Sequence, residues 1–113
     1  MWYKTSKKQN LIKTLLERIR TEYRPEMIIL FGSSSSGKRL SDSDIDICLI
    51  KKTKLRWHLR AKEVREILLD NYFAPLDFII YTPEEFKEFK NDKMSFLSGV
   101  LKNGKIVYDA KSC

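Results

Sequence analysis

Met27-Ile28-Ile29-Leu30-Phe31-Gly32-Ser33, ten further residues, and then Asp44-Ile45-Asp46-Ile47-Cys48-Leu49 set two kinds of strand next to each other. The first is a five-residue apolar run, short enough for a strand buried on both faces. The second alternates acidic or small residues with Ile45, Ile47 and Leu49, which is strand periodicity. Between them lies a loop rich in Ser and Gly, Gly32 to Ser43, with room for one helical turn near Ser34 to Lys38.

Outward from this pair, the elements alternate. Ile12, Leu15, Leu16, Ile19 and Tyr23 recur at helical spacing, so Ser6 to Tyr23 reads as an amphipathic helix that Pro25 ends. After the charged turn Lys51 to Lys54, Trp57, Ala61, Val64, Ile67 and Leu68 form a second helical stripe, ending near Asp70 or Asn71. Leu76 to Tyr81 is a third strand. Thr82-Pro83-Glu84-Glu85 opens a helix with an N-cap, a proline in the first position and acids at its positive end. Phe86, Phe89, Leu97, Val100 and Leu101 continue helically, with a break near Asn91-Asp92. Asn103-Gly104 closes the helix, and Lys105 to Tyr108 adds a short last strand. The order predicts an α/β (α+β) fold, a small mixed sheet flanked by helices, as a single domain over residues 1–113.

Composition narrows the classes. With 42% hydrophobic and 33% charged residues the chain reads as globular rather than disordered. No segment reaches the length of a membrane span, and Met1-Trp2-Tyr3-Lys4 lacks the apolar core of a signal peptide, so a cytoplasmic location and no membrane partner are expected. Cys48, inside an apolar run, and Cys113 read as free thiols. Twenty-two basic residues against 15 acidic ones give a net charge of +7. That suits a nucleotide, a nucleic acid or an acidic protein face, and equally suits a solvated surface. Nucleic acid is not favoured, because the basic stretch Lys51 to Lys62 offers Trp57 alone as an interleaved aromatic.

The chemistry gathers on carboxylates. Asp44 and Asp46, two apart on a strand, leave the same face with Cα atoms roughly 6–7 Å apart. Two carboxylates so placed can share a hard cation, and Mg2+ takes one or two carboxylates plus substrate phosphates. Two such ions, about 3.5–4 Å apart, stabilise both oxygens of an in-line displacement. Asp77 lies in the apolar run Leu76-Asp77-Phe78-Ile79-Ile80. It is either a third carboxylate of the same site, if its strand neighbours that of Asp46, or a solvated strand end after Pro75. Gly32 allows close backbone approach, and Ser33 offers a hydroxyl and an N–H to an anion. Gly32 to Lys38 also matches the start of a P-loop, but Arg39 stands where Ser or Thr would hold magnesium, and a strand rather than a helix follows. The lone His58 sits among Arg56, Trp57 and Arg60 with no nucleophile–base constellation.

Gly32-Ser33, ten residues, then Asp44-Ile45-Asp46 resembles the signature of the polymerase-β-like nucleotidyltransferase superfamily, above all its minimal, stand-alone MNT-type members. The likeness runs over nearly the whole chain. It implies that Asp44, Asp46 and Asp77 bind the catalytic metals, that Asp77 also draws the proton from an acceptor hydroxyl, and that Gly32 and Ser33 contact the triphosphate. The implied reaction moves a nucleoside monophosphate from an NTP, ATP foremost, to a hydroxyl. The resemblance further implies a partner, a HEPN-type helical protein in a toxin–antitoxin pair; a chain this small, without a further domain to hold an acceptor, also suits a separate partner or a homodimer. One departure stands out: many minimal members carry Arg where this chain has Ser36, and Lys38 or Arg39 would replace its charge but not its geometry. The alternative left open is an antitoxin that binds nucleotide or partner without catalysis.

Overall fold

A computed structural model describes residues 12–31, 45–68 and 76–112 of the chain. The leading helix, α1, is α-helical over residues 12–18 and finishes as a π-helix, Ile19–Tyr23. Arg24 closes it at φ 57°, donating its N–H to the Ile19 carbonyl at 3.1 Å. Pro25 bars the right-handed helical region to the residue before it, which accounts for the stop. Then follow β1 (Met27–Phe31), β2 (Ile45–Ile50), α2 (Trp57–Leu68), β3 (Leu76–Tyr81), α3 (Pro83–Phe89), α4 (Phe96–Asn103) and β4 (Lys105–Asp109), with a 3-10 turn at Ala110–Ser112. The expected elements and their types are present. The start of α1, the 32–43 loop and the segment after Leu68 lie outside the described residues.

The four strands order as β3-β2-β1-β4. β1 pairs antiparallel with β2 and β4, whereas β2 and β3 run parallel, so the sheet is mixed as expected. Both faces are covered. On one, Leu15, Ile19 and Tyr23 of α1 and Val64 and Leu68 of α2 pack on Ile28, Leu30, Ile47, Leu49, Phe78 and Ile80. On the other, Leu97 and Val100 of α4 and Phe86 and Phe89 of α3 pack on Ile29, Cys48, Ile50 and Tyr81. Two-sided cover explains why β1 and the inner half of β2 are apolar without interruption.

One correction concerns the basic stretch. Arg60 belongs to no solvated face: it is 7% exposed. Its guanidinium donates to the Leu55 carbonyl at 3.0 Å, the Ile80 carbonyl at 3.1 Å and both oxygens of Glu85 at 2.6 and 3.3 Å. Glu85 in turn accepts from Thr82 N–H at 2.9 Å while Thr82 Oγ1 accepts from Glu85 N–H at 3.2 Å, a capping box at the start of α3. The network ties α2, the end of β3 and α3 together. Burial by itself would raise the Glu85 carboxyl, but the hydrogen bonds from Arg60 and Thr82 outweigh it and hold it below the ordinary range.

Gly104 ends α4 where expected, though for another reason than a left-handed cap. Its backbone is extended (φ −89°, ψ 175°), and a Cβ there would lie 2.5 Å from the Val100 oxygen and 2.8 Å from the Leu30 oxygen. The glycine lets α4 turn back directly over β1.

Replacing Arg60 by Leu strands Glu85 and two carbonyls and costs about 3 kcal/mol in urea unfolding at neutral pH, the low end for a broken buried pair because Glu85 keeps some solvent. Since the folded Glu85 value is depressed, its contribution is full above the unfolded value of roughly 4.3 and fades as pH falls through the folded one, so the gap between wild type and Glu85→Gln narrows in acid. Gly104→Ala forces α4 off β1 and costs about 1–3 kcal/mol in the same assay.

Candidate active site

The pleat decides where the acids go. Ile47 and Leu49 face α1 and α2, and Cys48 and Ile50 face α3 and α4, so alternation puts Asp46 on the α3/α4 face. By the same count Ile79 and Tyr81 put Asp77 on that face. Register then joins them: Asp46 pairs with Asp77 across the parallel β2–β3 pair, and with Phe31 across the antiparallel β1–β2 pair. Asp77, Asp46 and Phe31 thus form a row across one end of the sheet. The strand adjacency on which Asp77 depended is present.

Asp77 is exposed and Asp46 half-buried. The cost of burying a carboxylate therefore plays no part in the case for Asp77; its position beside Asp46 carries the case. Adjacent parallel strands lie about 4.8 Å apart. Two unit charges at roughly 5 Å repel by about 0.8 kcal/mol in bulk water, more where solvent is displaced. An open strand end tolerates that, and a divalent cation between them would turn repulsion into binding. Hard oxygen donors on neighbouring strands at a solvent-facing end are the donor set Mg2+ accepts. Among the described residues no group of three potential ligands forms. Asp44 lies outside them, as do Gly32, Ser33 and Ser36.

Nucleophilic chemistry at Cys48 has no support here. The thiol is fully buried one pleat inward from Asp46, and burial pushes it up to about 12. His58 is exposed on α2. What sequence reasoning missed is the aromatic flank of the row. Phe96, at the start of α4, meets Phe31 edge to face, ring centroids 5.8 Å apart at 82°. The signal was Ser95, an N-cap that fixes where α4 begins.

A small mixed sheet covered on both faces by helices fits a minimal nucleotidyltransferase fold. The chain belongs to the family described as Polymerase beta, Nucleotidyltransferase, which matches residues 10–112. It is also similar to a protein of Methanocaldococcus jannaschii named "Putative protein adenylyltransferase", at 28% identity over 102 residues, covering 88% of this chain and 97% of that one. No solved structure matches the chain significantly. Among the described residues no helix is long and apolar enough to cross a membrane.

In a Cys113→Ser background, Cys48 is expected to resist a thiol reagent in native buffer and to react stoichiometrically once urea unfolds the protein. Labelling at the native stage would contradict its burial.

Proposed function

We propose that Asp44, Asp46 and Asp77 hold Mg2+, as a two-ion site, against the triphosphate of ATP, with Gly32 and Ser33 at its phosphates, and that the chain transfers AMP to a protein hydroxyl. The observation that carries this reading is the register of Asp46 with Asp77 on one face. Magnesium, when bound, neutralises the triphosphate and the departing pyrophosphate. Asp77 takes the proton of the acceptor hydroxyl, whose oxygen forms a bond to the α-phosphorus as the α–β phosphoanhydride bond breaks. Pyrophosphate leaves in line. Positioning and charge neutralisation supply most of the rate.

A protein acceptor is supported by the name of the archaeal relative. That the acceptor is a HEPN-type helical toxin, neutralised by this chain as its cytoplasmic antitoxin, rests on the family resemblance. Ser36, in place of the usual Arg, favours a second reading, an antitoxin that binds its partner with an idle site.

The test incubates the protein with α-labelled ATP, Mg2+ and the product of the gene next to its own. Label transfer is expected, falling about 10²–10³-fold or more in Asp46→Asn and in Asp77→Asn. Tight partner binding that survives both changes, with no transfer by the wild type, would establish the idle-site reading instead.

A further inference from the structure

Phe96 is 55% exposed although it opens a helix whose next apolar residues, Leu97 and Val100, are buried. Its position is fixed from both sides. Behind it, the Phe31 ring meets it edge to face. Before it, the Ser95 hydroxyl accepts from Ser98 N–H at 3.1 Å and contacts the Phe89 and Asp92 carbonyls at 2.7 and 2.8 Å. The first turn of α4 is therefore anchored, and one flat apolar surface is left facing solvent.

That surface lies one ring contact from the carboxylate row. Phe31 is the register partner of Asp46, which is the register partner of Asp77. The chain leaves Phe31 directly into Gly32-Ser33. The other exposed aromatic among the described residues, Trp57 at 52%, meets Tyr81 edge to face at the opposite end of β3 and cannot serve the same site.

We propose that Phe96 is the platform on which the base of the bound nucleoside triphosphate stacks. The proposal rests on the reading of the carboxylates as the triphosphate site. A triphosphate held at Asp46 and Asp77 leaves its nucleoside within reach of the neighbouring strand and helix, and a base offers a π-face whatever its hydrogen-bonding edge. Stacking on one ring is therefore tolerant of base identity. A pre-fixed ring also loses little freedom on binding, so the contact contributes nearly in full. Phe96 would then supply affinity for the nucleoside half of the ligand, and the carboxylates for the phosphate half.

The experiment measures binding of Mg-ATP and of Mg-tripolyphosphate to the full chain by calorimetry, for wild type, Phe96→Ala, Phe96→Leu, Phe96→Trp and Trp57→Phe, with circular dichroism to confirm folding. Base stacking of ordinary strength predicts that Phe96→Ala and Phe96→Leu weaken ATP roughly 5- to 150-fold. Tripolyphosphate binding is expected to be unchanged in both, and Phe96→Trp and Trp57→Phe to bind ATP as the wild type does. If tripolyphosphate binds and the Phe96 variants hold ATP normally, the platform is refuted and the phosphate site stands. A Phe96→Ala variant with normal ATP affinity but impaired transfer to a protein would assign the ring to the acceptor and equally refute it. If the wild type binds neither ligand, the triphosphate reading fails and the platform with it.

Discussion

Parallel pairing of β2 with β3 obliges the chain to travel the length of the sheet between them, because a tight turn can join only antiparallel strands. The span between Ile50 and Leu76 holds α2, which packs Val64 and Leu68 onto the same face as α1. Once that crossover is laid down, the two strands start at the same end, and residues of equal rank stand side by side. Asp46 meets Asp77 for this reason alone. An antiparallel return would have set the start of β3 against the end of β2 and put the carboxylates at opposite ends.

Arg60 keeps the crossover in place. A guanidinium with donors spread over two backbone carbonyls and one carboxylate fixes the angle between α2, β3 and α3 more strictly than apolar contact does. A buried ion pair adds little net stability over a hydrophobic isostere, since desolvation offsets most of its attraction. Its effect is geometric: β3 is held flush with β2 while the Thr82–Glu85 capping box starts α3 at the far end.

The sheet is consequently divided along its strands. From Ile47 to Ile50 both faces are dry, and the Cys48 thiol is inert. One pleat earlier, at Asp46, cover gives way to solvent. Charged groups occur where hydration is available, and the apolar strand ends beneath them hold them rigidly. Phe31 and Phe96 mark the boundary, each ring partly covered by the other.

The sequence by itself determined the elements and their order. Helical and strand periods are local properties, set by which positions must turn toward a core, and the strands that carry Asp46 and Asp77 were legible from them. Thr82-Pro83-Glu84-Glu85 stated its own cap for the same reason. Only the tertiary structure decided that β3 lies beside β2, that Arg60 is an internal clamp rather than part of a basic surface, that Gly104 serves close packing, and that Phe96 flanks the acids. Each of these depends on residues far apart in the chain being brought into contact, 25 positions for Arg60 and Glu85, 65 for Phe31 and Phe96, and 74 for Leu30 and Gly104. Periodicity carries no information about such partners, because it records that a side chain is buried or exposed and not what it meets.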